Sequence, residues 1–504
     1  MMNKIMNQYR LISISVSIVL SLPFFGCNKE LLEKNPTDQA TSETFWKTEQ
    51  DAAAALMGVY SRLYLEPFAT RFRLEDLTDN ARHFTQLETE YNQISLGILN
   101  PTTGGSVSQW YNGMYTGIGS CNFFLDNIDR INKIDPTLKN QEIAEVKFLR
   151  AWFYFFLQQT YGGVIIYKTT PTIEGAKIKK STSDEVINFI LEDINDAIPN
   201  LPDTKYSGRI VKNTAYALKA KVLLYTGKWN DAAAAANKVI ASGLCSLYPN
   251  YRDLFLSNAQ KSNPDEILFS TVYALPNRSH TGGNDHIVYG TTSPRQELLA
   301  AYLCSDGLPT NESTLFDPAH PYLNRDPRLL QTINPTQTRV VNGVLYTYPL
   351  RETGLLWNKF IEDNMTYFQR ITDLDDYDII HLRYADVLLM YAEAQNEAVG
   401  PDETVYSAIN KVRSRSNMPP VVQGLSADEM RKAIRLERRI ELAGEGYRWF
   451  DIKRWGIADS VLRSVDEPGQ GIGTLKMLPN QYIWPFPQSE IDLNPNLEQN
   501  PGYN

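Results

Sequence analysis

The chain has 504 residues, with 49 Lys and Arg against 58 Asp and Glu and a net charge of −9. That length suffices for one large or two ordinary domains with a substantial core. The acidic balance argues against nucleic acid as a partner, because phosphates need a basic surface.

Lys4 and Arg10 precede an apolar stretch over 11–25, and Phe24-Phe25-Gly26 leads to Cys27. A basic start, a short apolar run and a boundary cysteine read as a bacterial secretory signal over 1–26 ending in a lipobox. Cys27 is then the acylated first residue of the mature chain, although Phe24 and Phe25 are bulkier than is usual before such a cysteine. The stretch is shorter than the ~20 apolar residues of a membrane span, so acyl chains would anchor the protein to a membrane. The hardest later case, FLRAWFYFFL over 148–157, carries Arg150 and predicts a buried helix. Cys121, Cys245 and Cys304 allow at most one disulfide, and no CxxC pair suggests metal or redox chemistry.

Residues 28–40 predict a polar tether. A helix begins near Thr48, with Ala52 to Leu56 and Val59 on its apolar side. Helices follow over 110–128 and 141–161, the second stopped by Gly162 and Gly163, and over 183–198, capped by Ser183 and ended by Pro199. Residues 215–243 fit a tetratricopeptide unit: one helix ends at Tyr225, Gly227 permits the turn, Trp229 packs into it, and Ala232 and Ala236 let the helices approach. A weaker copy runs over 383–416. Between about 245 and 377 the helical period fails at Gly282-Gly283, Pro294, Pro309, Pro318, Pro321, Pro327 and Pro335, with strand-like runs at 266–273 and 340–348. The predicted fold is mainly α, a tetratricopeptide-like helical scaffold with a loop-rich insert containing short strands. Its regions are an N-terminal helical part, 27–244, and a C-terminal part, 245–504, whose insert (245–377) packs with it as one unit.

The most informative segment is C-terminal. Ser426 and Glu429 form a capping box. On the helix beyond, Met430, Ala433, Ile434, Leu436, Ile440 and Ala443 share about half the circumference, with Glu437 and Glu441 in the middle of that apolar face. Carboxylates carried into a core need cations, and Arg383, Arg448, Lys453 and Arg454 are the candidates. Four residues apart on one helix, the two acids suit an ion-pair network better than acid/base catalysis.

This helix, the Gly446-Tyr447-Arg448-Trp449-Phe450-Asp451 sequence after it and the ending PQSEIDLNPNLEQNPGY closely resemble the SusD/RagB family of nutrient-binding outer-membrane lipoproteins. The resemblance implies a lipid-anchored cell-surface protein that captures an oligosaccharide and delivers it to a SusC-like TonB-dependent barrel. It implies no covalent chemistry, no cofactor and no metal. A RagB-like peptide binder and a surface glycoside hydrolase are the alternatives, the latter requiring two carboxylates roughly 5 to 9.5 Å apart.

A loop-rich insert on a rigid scaffold is where binding residues are usually displayed. With 28 Tyr and 8 Trp, sugar rings could lie on aromatic faces while hydroxyls pair with polar side chains. Tyr273, Arg278, His280, Asn284, Asp285 and Tyr289 form one candidate cluster; Asp79, Asn80, Arg82, His83 and Phe84 form another. Both are expected on one face, opposite the 215–243 pair. His280 and His286 lack helical zinc spacing. Gly469, Gly471 and Gly473 mark a loop without the strand-to-helix context of a dinucleotide site. Asp373, Asp375, Asp376 and Asp378 lack the EF-hand pattern and predict a solvated acidic turn.

Overall fold

A computed structural model describes residues 45–84, 90–280, 282, 291–336, 338–341, 343–347, 353–363, 375–465 and 474–503. The predicted acylation site Cys27 and the candidates Asn284, Asp285 and Tyr289 lie outside the described residues, as do His286, Asp373 and the 469–473 glycines.

The scaffold is helical. Helix α1, Glu49–Tyr60, starts at a capping box between Thr48 and Asp51. Helices α2, Ser106–Asn127, and α3, Pro136–Tyr161, follow. Helix α3 begins upstream of the predicted 141 because Asp135 caps it and Pro136 suits its first turn. Helix α4, Ser183–Ala197, is capped by Thr182 in place of the predicted Ser183, with Glu185 completing the box. Helices α5, Lys212–Tyr225, and α6, Trp229–Ala241, form the tetratricopeptide-like pair. Gly227 turns the chain between them at φ +70°, a conformation that side chains other than glycine's rarely adopt. The second pair is α7, Tyr384–Val399, and α8, Glu403–Arg415. Helix α6 packs on α7, so the pairs stack, and α7 also carries α9, Ala427–Glu441, capped by Ser426 and Glu429. Helix α10, Arg448–Arg454, follows.

One hydrophobic core runs through this stack, drawing on residues from Trp46 to Leu497. Helix α3 is its axis, burying Phe148, Trp152, Phe153 and Phe156. Arg150 stays inside because Asp193 accepts from its Nε and Nη2 at 2.7 and 2.8 Å and Asn122 accepts from Nη1 at 2.8 Å. Cys121, Cys245 and Cys304 are free thiols.

Among the described residues the strands form two-stranded antiparallel ribbons. Strand β1, Ala81–His83, pairs with β3, Thr292–Pro294, and β2, Ile267–Thr271, pairs with β8, Ile379–Arg383. Strand β4, Ile333–Asn334, pairs with β7, Leu356–Trp357. The run predicted at 340–348 is part of a hairpin, β5, Thr338–Val341, with β6, Val344–Thr347.

Glu437 and Glu441 are buried. Arg328 Nη1 donates to Glu437 at 2.5 Å and Glu441 at 2.9 Å, Arg383 Nη1 to Glu441 at 2.6 Å, Arg415 Nη2 to Glu441 at 2.5 Å and Arg413 Nη1 to Glu437 at 3.0 Å. Of the predicted partners only Arg383 reaches these acids. Arg448 pairs with Asp79, Arg454 pairs with Glu393 and Asp451, and Lys453 donates to the Gln159 carbonyl. Burial alone would raise the Glu441 carboxyl, but Arg415, Arg383 and Arg328 outweigh it and hold it well below the usual range. Beside this network, burial likewise opposes Lys221 and Arg438 at Asp386, and Arg454 at Glu393, yet both acids are held at about 2.

Glu441→Ala strands three buried guanidinium groups and should cost about 3–5 kcal/mol in urea unfolding; a loss within experimental error would contradict the network's role. The depressed acids set a pH dependence. Because Asp386 and Glu393 titrate at about 2 when folded and near ~4 when unfolded, the stability they contribute is present above ~5 and is lost as pH falls toward ~2. Unfolding free energies measured at stepped pH should fall across that window.

Candidate ligand-binding site

The site grows from the end of α1. The chain turns through Ser61–Tyr64, leaving the Tyr64 ring half-exposed while its hydroxyl donates to the Val272 carbonyl at 2.5 Å. Beyond β2 the segment 274–278 closes on itself, Ala274 and Arg278 exchanging backbone bonds of 2.9 and 2.8 Å. This turn lifts the exposed Arg278 guanidinium to 4.5 Å from the Tyr64 ring centroid. Behind Tyr64 an aromatic row runs inward: Tyr273 at 5.1 Å, then His280 at 4.6 Å from Tyr273, then Tyr377 at 4.4 Å from His280.

Two shallow grooves flank Val272. One, of about 240 Å³, is lined by Tyr60, Tyr64, Thr271 and Arg278 among others; the second, of about 250 Å³, by Tyr206, Gln260, Lys261, Tyr273, Asp376 and Asp378 among others. Both share Gly208 and Val272, and Val272, 42% exposed, forms the ridge between them. Asp378 accepts from the Tyr273 amide at 2.9 Å and the Ser270 hydroxyl at 3.0 Å. Burial dominates its environment and pushes its carboxyl up to about 6. Asp376 is held below the usual range because Ser257 and Lys261 outweigh its burial. The acidic turn predicted to be solvated is instead drawn into the protein, with Asp375 buried and joined to His280 through backbone bonds of 3.0 and 2.9 Å.

The predicted residues divide sharply. Arg278 is exposed in the first groove. Tyr273 is only 6% exposed and supports Tyr64 from behind, so the available ring is that of Tyr64. His280 is half-buried, its Nε2 2.9 Å from the Tyr377 carbonyl.

Asp79, Asn80, Arg82 and His83, expected to form a ligand-binding cluster, are interior residues. Asp79 takes two bonds of 2.9 Å from Arg448 and pairs with Arg439 at 2.8 Å. Asn80 donates to Glu75 and accepts from Arg439, each at 2.8 Å. The Arg82 guanidinium lies 4.8 Å from the Phe84 ring centroid, and His83 Nδ1 lies 3.4 Å from Asp76. Asp79 and Asn80 tie the approach to β1 to α9 and α10, elements hundreds of residues away in sequence, and none of these four lines either groove. Strand β1 pairs with β3, and the Phe84 amide donates to the Thr291 carbonyl at 2.8 Å. A further link runs through Arg71, which donates to the Ile380 carbonyl at 2.6 Å and the Glu445 carbonyl at 3.0 Å. Gly446 makes this approach possible: a Cβ there would lie 2.3 Å from the Arg71 carbonyl oxygen.

Sequence reasoning missed Tyr64 and Tyr206, which lie upstream of the insert with nothing nearby to mark them, and gave Asp378 another role. Among the described residues no His, Cys, Asp and Glu group could hold a metal ion, and no helix is long and apolar enough to cross a membrane.

Comparison with known proteins agrees with this architecture. Residues 257–503 match the family model described as the SusD family, and residues 30–224 match one described as starch-binding associating with outer membrane. A SusD-like protein of Formosa agariphila is 30% identical over 530 aligned positions, covering 96% of this chain and 98% of that protein. The crystal structure of a SusD-like carbohydrate-binding protein from Bacteroides fragilis is similar with a TM-score of 0.81 and 27% identity, covering 90% of this chain and all of that one. A laminarin-binding SusD-like protein is similar with a TM-score of 0.68 and 25% identity, covering 91% of this chain and all of that one. With its helical stack and its C-terminal motif alike accounted for over nearly its whole length, the chain belongs to the SusD family.

Proposed function

We propose that this protein captures an oligosaccharide at the cell surface and passes it to a SusC-like TonB-dependent transporter, held at the outer membrane by acyl chains on Cys27. The observation that carries the binding reading is the Tyr64–Arg278 pair beside grooves furnished with Asp376, Asp378, Gln260 and Lys261. A tyrosine ring offers apolar area to the C–H faces of a sugar, and the guanidinium, carboxylates and amide suit its hydroxyls. The two grooves on either side of Val272 suit a ligand of several sugar units. Two structural relatives are described as carbohydrate-binding and laminarin-binding, which supports the same ligand class here. The matched family's description supports the outer-membrane setting.

Binding without cleavage is the reading we favour for the two groove carboxylates. Asp378 is engaged by an amide and a hydroxyl, and Asp376 by a hydroxyl and an ammonium, so both are already held as acceptors within the protein. Incubation of the purified chain with laminarin oligosaccharides should release no new reducing ends; steady release would replace the binding reading with a hydrolase.

Tyr64→Ala should weaken oligosaccharide affinity in calorimetry by about 1–3 kcal/mol, the scale of one lost stacking contact, with little change in melting temperature because the ring is half-exposed. Tyr273→Ala should behave differently, costing about 3 kcal/mol of stability through the cavity it leaves. Unchanged affinity in Tyr64→Ala would move the site elsewhere. For the anchor, Cys27→Ala should abolish incorporation of labelled fatty acid and release the protein from the membrane fraction. Retention of the variant there, with no label on the wild type, would remove the assignment.

A further inference from the structure

A cleft of about 610 Å³, larger than either groove, lies between α2, the segment 165–177 and the helical turn Gln488–Leu493. Tyr111, Tyr115 and Tyr167 line it. Tyr111 and Tyr115 are 4.8 Å apart with planes at 51°, and Tyr115 and Tyr167 are 5.8 Å apart at 68°. The Tyr115 hydroxyl donates to the Ile165 carbonyl at 2.9 Å and the Tyr167 hydroxyl to the Ala176 carbonyl at 2.7 Å. With those hydroxyls committed to the backbone, the two rings offer the cleft chiefly π and apolar surface.

The same wall carries Glu490, half-buried. Among the described residues its carboxylate has no ion pair and no hydrogen bond. Burial pushes it up, and after the effect of their own burial its charge also raises the phenols of Tyr111 and Tyr167, which line the same cleft. Lys177 also lines the cleft, but its ammonium lies 3.8 Å from Glu174. A neutral sugar could donate hydroxyl hydrogen bonds to this carboxylate, but it would leave the charge itself uncompensated. A cation gains from the carboxylate and the ring faces together, and its apolar stem gains from the remaining lining. The rim is apolar as well, Ile173 being 82% and Leu493 68% exposed. A free small amine would leave that rim uncovered, whereas a chain with apolar residues beside the basic one would cover it.

We propose that this cleft is a docking site for a partner polypeptide, taking one lysine or arginine side chain against Glu490, Tyr115 and Tyr167 while its apolar neighbours rest on Ile173 and Leu493. The inference is independent of the glycan reading, because the cleft shares no lining residue with the Tyr64–Arg278 grooves.

The test titrates the full-length chain with capped Leu-Lys-Leu and Leu-Arg-Leu peptides and with an uncharged control in which norleucine replaces the basic residue. The basic peptides should bind more tightly than the control by about ten-fold, the effect of one desolvated cation contact, and salt should erode that margin. Glu490→Gln should remove the margin while leaving laminarin-oligosaccharide affinity and melting temperature unchanged. Ile173→Ser, at an exposed rim position, should weaken all three peptides and keeps the test decisive if Glu490→Gln folds poorly. Equal binding of basic and norleucine peptides, or full peptide affinity in Glu490→Gln, would overturn the proposal. Tight, Glu490-dependent binding of glucosamine oligosaccharides without peptide binding would also overturn it, assigning the cleft to a free amino sugar.

Discussion

Everything else in this molecule depends on the burial of Arg383. Its guanidinium, at the end of β8, bonds Glu266 before β2, Glu441 at the end of α9, and Glu445 in the turn that follows. Around it Arg328, Arg413, Arg415 and Lys359 join Asp326, Glu437 and the same glutamates. Five cations thus face five carboxylates, and the cluster is neutral as a whole. Neutrality matters because each ion taken singly from water would cost several kcal/mol. A network of this kind adds little stability over a well-packed apolar core, but it admits few alternative arrangements, since a shifted helix would leave a charge unpaired.

That rigidity is what places the binding surface. Strands β2 and β8 are clamped at one end, where Glu266 and Arg383 meet, and tied at the other, where β2 runs into Val272 and the Tyr273 amide donates to Asp378 just before β8. Within the ribbon, His381 lies 2.7 Å from the Thr271 hydroxyl, and burial and Arg71 hold its imidazole well below its ordinary range, in the neutral form. The ribbon is therefore stiff and uncharged in its middle, and the end away from Arg383 presents the Val272 ridge with one groove on each side.

How much of this was legible follows from which forces are local. The helix start near Thr48, the capping box at Ser426, the Gly227 turn and the inward face of α9 depend on residues within a few turns of one another, and the structure contains all of them. The burial of Glu437 and Glu441 was legible for the same reason. Of their partners only Arg383 was, because Arg413 and Arg415 sit in a polar stretch of α8 and Arg328 in the irregular insert, where nothing nearby signals burial. Polar composition also misled in the Asp79–His83 segment, since a charged run satisfied by distant arginines has the sequence of a solvated loop. Tyr273 shows the same limit: β2 is buried along its length, so alternation along it could not reveal that Tyr273, just beyond its end, also faces inward.

The distribution of unbalanced charge separates scaffold from sites. Inside, a charge is either paired or shed. Burial raises Glu75 to about 7, where it is bonded by Asn80 and the Gly446 amide, and burial lowers Lys453 to about 7, with its nitrogen 3.7 Å from the Trp449 ring centroid. At two of the clefts stand charged side chains without a partner of opposite charge. Arg278 lies over Tyr64, Glu490 faces Tyr111 and Tyr167, and among the described residues neither forms an ion pair. Water screens an isolated surface charge and makes it cheap to keep, but a charge held against an aromatic wall has given up part of its hydration. Such a charge gains from a ligand that restores the lost interactions. Arg278 therefore suits hydroxyl-rich ligands and Glu490 a cation, and the neutral network between the helices allows both to be held in place without strain on the core.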